Sequence, residues 1–282
     1  MTQENPRSPG TDIRVVHAEE VLLPTSDGVD WEFGYTDVLF ERGGDFYSLH
    51  IPESDVDTSP DKLRLLLPKA TLVPRAYYRA RMRHAAHATP ASPAARADPG
   101  VFVKRSIPLG YNPAAEMQPS FSDADMKLEE LAVCEMLRWH PHPNIFRYLG
   151  YVTAMDDDGE YISGLCFARL ERTLQEVVEE VAGELDIPRI LAGIRAGLGH
   201  LHALGYAHND LNPSNIMLDT AGNPVLIDFD ACARLGERLK YKKGTDDWYQ
   251  AEDGKLSKVE NDFYGLREIE RWLAGERPYI LG

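Results

Sequence analysis

The segment His208-Asn209-Asp210-Leu211-Asn212-Pro213-Ser214-Asn215 constrains this chain more than any other, because the residues after it leave the backbone few choices. Ile216-Met217-Leu218 reads as a short strand, Asp219 to Pro224 as a turn, and Val225-Leu226-Ile227 as an apolar strand ending in Asp228-Phe229-Asp230. Two short runs joined by such a turn pair as a hairpin, which brings Asp210, Asn215 and Asp228 to one end of the pair. Two carboxylates and an amide oxygen make a hard-oxygen site. Magnesium suits it, since that ion keeps several waters and shares its remaining positions with substrate phosphates, so the protein supplies only part of the shell.

Charge narrows the partners. The chain has 282 residues, with 45 acidic and 30 basic side chains and a formal charge of −15, which disfavours wholesale binding of nucleic acid or an anionic membrane. A basic stretch with Arg79, Arg81, Arg83, His84, His87 and Arg96 stands out, but it is interleaved with alanines and prolines and has few base-stacking aromatics, so it reads as a solvated loop. Cys134, Cys166 and Cys232 lie far apart with no metal-ligand spacing, which indicates neither a disulfide framework nor a structural zinc site and fits a reducing compartment. No run approaches the roughly 18 apolar residues of a membrane span, and the start MTQENPRSPG lacks the blocks of a secretory signal. A cytoplasmic or nuclear protein is expected.

Along the chain, residues 1–60 read as an extension of short strands, with a hairpin around Gly43-Gly44, and carry no legible chemistry. Ala76-Tyr77-Tyr78-Arg79-Ala80 and Val101-Phe102-Val103-Lys104 read as strands, and Met82 to Gly100 as a mobile loop. From Ser122 the pattern is helical: Glu130, Val133, Cys134 and Leu137 fall at offsets 0, 3, 4 and 7, which puts a carboxylate on an apolar stripe. A charge there asks for a partner. Phe146 to Val152 and Tyr161 to Phe167 read as strands around an acidic turn, and helices follow at Leu174 to Val181 and from Ile190 to Leu201. Strands early and helices late suggest two lobes joined near residues 167 to 172.

The pattern HxDxxxxN, followed by a DFG-like triplet and preceded by Gly-Leu-Gly-His-Leu-His-Ala-Leu-Gly, resembles the catalytic core of the eukaryotic protein-kinase family over roughly residues 64 to 272. The resemblance implies a two-lobed α+β fold: an antiparallel-sheet N-lobe over residues 61–167 and a mainly helical, shortened C-lobe over 168–282. It implies ATP and magnesium as cofactors. Asp210 would accept the proton of the attacking hydroxyl, His208 would brace the loop, and Asn215 and Asp228 would hold the metal. Lys104 takes the place of the phosphate-binding strand lysine, with Lys69 as its rival, and Glu130 that of its partner. Phe167 and Ala168 fall at the hinge that meets the adenine. Asp262 resembles the aspartate that anchors the catalytic loop from a later helix.

The chain also departs from the family's pattern. No GxGxxG precedes Lys104, so the backbone cradle for phosphates is missing from its usual place. Asn209 replaces the arginine before the catalytic aspartate, which removes the usual partner of an activation-loop phosphate. Asn212 replaces a lysine, Asp230 replaces the glycine of the triplet, and Gly244 to Glu252 only resembles the end of an activation segment. The leading expectation is a protein kinase acting on serine or threonine hydroxyls. The same loop also resembles aminoglycoside or choline phosphotransferases, which implies a small hydroxyl acceptor as the alternative partner; a third reading is a pseudokinase scaffold.

Overall fold

The computed structural model describes residues 13–25, 30–85, 87–109, 111–112, 122–180, 185–240, 244–245, 247–249 and 256–276. The chain forms two compact units. Met1–Arg79 with Ile107–Asp123 make the first, and Ala80–Ser106 with Ala124–Gly282 make the second.

In the first unit, β1 (Ile13–Pro24), β2 (Trp31–Arg42), β3 (Asp45–Ile51) and β4 (Thr71–Leu72) pair antiparallel in that order. The expected hairpin is present: β2 and β3 meet at Gly43 and Gly44, whose φ values of 63° and 84° suit residues without a Cβ. β1 and β2 run 12 residues each, longer than the short strands expected. The inward positions Val38, Phe40, Leu49 and Ile51 bury against Leu63 of α1 (Pro60–Leu66). That helix starts where Ser59 caps the Lys62 N–H and Pro60 fits the first turn.

The strand expected over Ala76–Ala80 is corrected. Residues Arg75–Tyr78 form a single helical turn, α2. Partners distant in sequence explain why: Arg75 and Arg79 converge on the Asp45 carboxylate at 2.8 and 2.9 Å, and the Tyr78 ring packs edge-on against Phe46. The Arg75 hydrogen bond holds the Asp45 carboxyl below the usual range despite partial burial. Arg79 is thus a buried ion-pair residue of this unit, not part of a solvated loop.

In the second unit β8 (Gly159–Ala168) is central. It pairs with β7 (Tyr148–Asp156) along one edge and with β5 (Ala80–Arg81) and β6 (Val101–Lys104) along the other, all antiparallel. The mobile loop expected from 82 to 100 is also corrected. It contains α3 (Pro93–Ala97), which the Ser92 hydroxyl caps at Ala95 N and Pro93 opens. Backbone bonds from Ala91 to Tyr151 and from Tyr151 to Thr89 fasten it to β7, and Glu135 binds both the Thr89 N–H and hydroxyl. Arg81 pairs with Asp156 and Asp158.

The helical stripe expected from Ser122 is α4 (Asp123–Trp139), with Glu130, Val133, Cys134 and Leu137 all buried. After β8 come β9 (Arg172–Thr173), α5 (Leu174–Glu180), α6 (Ile187–Ala203) and β10 (Tyr206–Ala207). The short strands β11 (Ile216–Leu218), β12 (Pro224–Leu226) and β13 (Ala233–Arg234) and helix α7 (Val259–Leu273) complete the unit. β11 and β12 form the expected hairpin, with Ile216 opposite Leu226. One core joins sheet and helices: Leu165 and Phe167 of β8, Leu137 of α4, Ile194, Leu198 and Leu201 of α6, and Phe229 beyond β12. Sheet lobe and helical lobe therefore lie in the same unit. No helix among the described residues is long and apolar enough to cross a membrane.

Candidate active site

Packing decides which way β6 points its side chains. Val101 and Val103 join Ala91, Cys166 and Val152 in one apolar cluster, so the alternation of a strand sends Lys104 to the other face. There its Nζ lies 2.7 Å from Glu130 Oε1 on α4 and 2.6 Å from Asp228 Oδ1. The Lys104 and Asp228 side chains are 28% and 27% exposed, whereas Glu130 is 2% exposed, so the glutamate is the deepest of the three. Lys69 is exposed in the first unit, and Glu129, the neighbour of Glu130, pairs at the surface with Lys240.

A second lysine reaches the same glutamate. Lys127 Nζ meets Glu130 Oε2 at 3.0 Å with only 6% of its side chain exposed. Sequence reasoning missed it, although its place three residues before Glu130 on the same helix face was a usable signal. Burial by itself would push the Glu130 carboxyl up, but the Lys104 and Lys127 ammoniums outweigh it and hold the value below normal. Likewise burial would depress Lys104, yet Glu130, Asp228 and Asp230 hold its ammonium well above its usual value. Asp230, which stands where the DFG-like triplet would have glycine, thereby adds to the negative surroundings of the lysine. Burial pushes the Cys134 and Cys232 thiols far up, which removes them as nucleophiles.

The loop opposite is held by side chains. Asp210 is 1% exposed; its Oδ1 accepts from the Thr245 N–H at 2.7 Å and the Thr245 hydroxyl at 2.8 Å, and its Oδ2 from Asn215 Nδ2 at 3.1 Å. Asn215 also gives Nδ2 to the Asp210 carbonyl, while its amide oxygen takes no donor among the described residues. Asn212 caps the following turn through Oδ1 and donates Nδ2 to the Thr245 hydroxyl. Of the 244–252 stretch, residues 246 and 250–252 lie outside the described residues.

Beneath the loop, Asp262 of α7 accepts from the backbone N–H groups of His208 and Asn209 at 2.9 and 2.7 Å and lies 2.7 Å from His202 Nε2. The His208 ring meets the Ile227 carbonyl at 2.9 Å and leans on Phe229. Asn209 has φ +65° and Asp228 φ +61°, conformations that Asn and Asp tolerate better than most residues. Asn209 is fixed by hydrogen bonds to the Ala207 and Ala231 carbonyls, Ser257 Oγ and Asn261 Nδ2. A neutral amide thus makes the cross-links at the position where the family pattern carries a cation. Close approach of α7 requires Gly265: a Cβ there would sit 2.4 Å from the Leu211 carbonyl oxygen.

At the expected hinge residues, the Phe167 ring is buried edge-on to Phe146, and the Ala168 N–H is bonded to the Arg147 carbonyl. Among the described residues no three His, Cys, Asp or Glu side chains gather as a metal site. The donor set still fits a partly protein-held magnesium, because the Asp228 carboxylate is 27% exposed and the Asn215 amide oxygen takes no donor among the described residues.

Mouse serine/threonine-protein kinase 16 is 34% identical over 125 residues, covering 40% of this chain and 40% of that protein. The fission-yeast serine/threonine-protein kinase shk2 is 30% identical over 168 residues, covering 55% of this chain and 27% of its own length. The chain therefore spans less than half the length of either relative. A chain from the yeast RNA Pol II CTD kinase CTDK-1 complex aligns with a TM-score of 0.47 and 17% identity, over 64% of this chain and 57% of that one. The protein kinase domain model matches residues 115–255, half of the sequence and nearly all of the helix, loop and hairpin just described, and the chain belongs to the protein kinase domain family.

Proposed function

We propose that the chain is an ATP- and magnesium-dependent phosphotransferase of protein-kinase type, acting on serine or threonine hydroxyls of proteins. One observation carries this reading: a lysine ammonium is held between Glu130 and Asp228, and the residue before Asp228 is bonded through its N–H to the carbonyl of Asn215, whose side chain is bonded to Asp210. Phosphoryl transfer depends mostly on positioning and on neutralising charge. Lys104 supplies a fixed cation for the phosphates. Asp228 and Asn215 would hold the magnesium, and the bound ion would add the remaining positive charge. Asp210 accepts the proton of the attacking alcohol. A threonine hydroxyl already donates to its Oδ1 at 2.8 Å, so an alcohol fits that acceptor. The names of the relatives, serine/threonine-protein kinases, support the choice of acceptor.

The test is transfer of labelled phosphate from ATP to proteins, the chain itself included, with and without magnesium, for wild type beside Asp210→Asn and Asp228→Asn. Wild type should label in magnesium only, and loss of the general base should lower the rate by about 10²- to 10⁴-fold. No labelling by wild type, or equal labelling by Asp210→Asn, removes the proposal. Labelling only when a small alcohol or aminoglycoside is supplied moves the acceptor to that class.

A second reading, nucleotide binding without turnover, draws on two observations. Both Asp210 oxygens are already engaged by protein donors. Between β5 and β6 the described residues form turns and α3 in place of a strand hairpin that would cradle phosphates. Magnesium-ATP binding with no transfer to any acceptor is the outcome that selects it.

A further inference from the structure

Strands β1 and β2 outrun the rest of their sheet. The last pair between β2 and β3 is Thr36 with Ile51, but β1 and β2 stay paired as far as Pro24 with Trp31. Residues 21–24 and 31–35 therefore form a two-stranded arm with no third strand beside it among the described residues. Hairpins of two strands are marginal by themselves in water, and this one turns apolar side chains outward. Leu22 opposes Phe33 and Pro24 opposes Trp31; residues two apart on a strand share a face, and so do residues opposed across a pair. Leu22 is 53% exposed and Trp31 68%. Leu23 goes to the other face, over Gly34, the extra residue of β2 at the register shift: a Cβ on Gly34 would come 2.5 Å from Leu23 Cγ.

Charge decides which partner fits that face. Glu20 stands on it two residues before Leu22, at the base of the arm, where its Oε1 accepts from the Asp55 N–H at 3.1 Å and the Thr36 hydroxyl donates to the Glu53 carbonyl at 2.7 Å. Glu20, Glu53 and Asp55 are all exposed. Residues 19–37 carry six carboxylates and no lysine, arginine or histidine, and residues 51–57 add three carboxylates and again no base. An anionic lipid surface would be repelled, and so would the acidic arm of a second copy. One exposed aromatic means little by itself. A stripe of Leu22, Phe33 and Trp31 bordered by carboxylates, however, has the apolar centre and polar rim of a protein interface. Its complement is a segment whose apolar side chains are flanked by lysine or arginine.

We propose that the Leu22, Phe33 and Trp31 face of the β1–β2 arm is a docking surface for a basic, apolar segment of another protein. Trp31 and Leu22 are its anchors, and Glu20 with Asp55 meets the partner's cations. The surface lies wholly in the first unit and stands whether or not the chain transfers phosphate.

The test is fluorescence anisotropy of three labelled peptides, each about twelve residues long to match the strands, titrated with the full chain: alternating leucine and lysine, leucine and glutamate, and serine and lysine. The leucine and lysine peptide should bind at least about tenfold more tightly than either of the others. The double variant Leu22→Ser with Trp31→Ser should lose at least about tenfold of that affinity, as removal of an interface anchor does, with an unchanged unfolding midpoint because both side chains are exposed. Glu20→Lys should also weaken binding, whereas Glu179→Lys, an exposed acid on α5 of the second unit, should not. The proposal is overturned if wild type binds none of the peptides, if the serine and lysine or the leucine and glutamate peptide binds as well, if the double variant or Glu20→Lys binds like wild type, or if Glu179→Lys weakens binding as much as Glu20→Lys. It is likewise overturned if sedimentation shows wild-type copies associating and the double variant monomeric, because the occupant is then a second copy of the chain.

Discussion

Replacing Lys127 with methionine removes one of the two ammoniums that hold Glu130, and the structure sets the size of the effect. The Lys127–Glu130 contact is 3.0 Å long with the two side chains 6% and 2% exposed, so neither charge can turn to water if its partner disappears. Breaking a buried pair by deleting one member typically costs about 3 to 5 kcal/mol. Lys127→Met belongs near the lower end, because Glu130 keeps Lys104 at 2.7 Å. Glu130→Gln belongs near the upper end, because it strands the buried Lys127 while Lys104 still has Asp228. For a folding unit of this size about 3 kcal/mol lowers Tm by roughly 6 to 12 °C. Urea unfolding of wild type, both single variants and the double variant forms a cycle. The double variant should be less destabilised than the two singles together by about 0.5 to 3 kcal/mol. Lys127→Met within about 1 kcal/mol of wild type, or strict additivity, would refute the claim that Glu130 is balanced by two lysines.

Three further outcomes follow from the same geometry. The Glu130 carboxyl titrates below its ordinary value of 4.5, so its contribution is complete above that pH and is lost as pH falls through the depressed folded value; urea midpoints between about pH 3 and 6 should fall more steeply for wild type than for Glu130→Gln, and parallel curves would exclude this. Asp262→Ala leaves the His208 and Asn209 N–H groups without their acceptor, at about 1 to 3 kcal/mol for each buried donor; hydrogen exchange at residues 208 to 210 should speed up, and unchanged protection would show that other contacts hold the loop. Gly265→Ala forces a methyl to within 2.4 Å of the Leu211 carbonyl oxygen, so α7 should be destabilised by about 1 to 3 kcal/mol despite alanine's better helix propensity; a raised Tm would contradict the close approach.

Much of the site was legible because its signals are local. The turn between two short apolar strands sets the β11–β12 pairing whatever surrounds it, and a carboxylate at a helical offset from Val133, Cys134 and Leu137 marks Glu130 as buried. The errors fell where long-range partners override local texture. Ala76 to Ala80 has the composition of a strand, yet Asp45, some thirty residues earlier, gathers Arg75 and Arg79 into one turn of helix. The stretch from 82 to 100 has the composition of a loop, yet Thr89 and Ala91 are fastened by Glu135 and Tyr151. Its Ser92-Pro93 cap signal was readable and was outweighed by the surrounding alanines and arginines.

By itself the sequence determined which oxygens share the hairpin's end and which helix face is apolar, since spacing along a strand or helix fixes direction within a few residues. Only the tertiary structure decided that Lys104, and not Lys69, meets Glu130 and Asp228, partners 26 and 124 positions away. It also decided that Lys127 shares the glutamate, that Asn209 makes with an amide the cross-links of a buried loop, and that Phe102 stays outside the core, 47% exposed. The physical reason is common to all four: the energy of a buried charge, a hydrogen bond or an aromatic face depends on what the rest of the fold places against it.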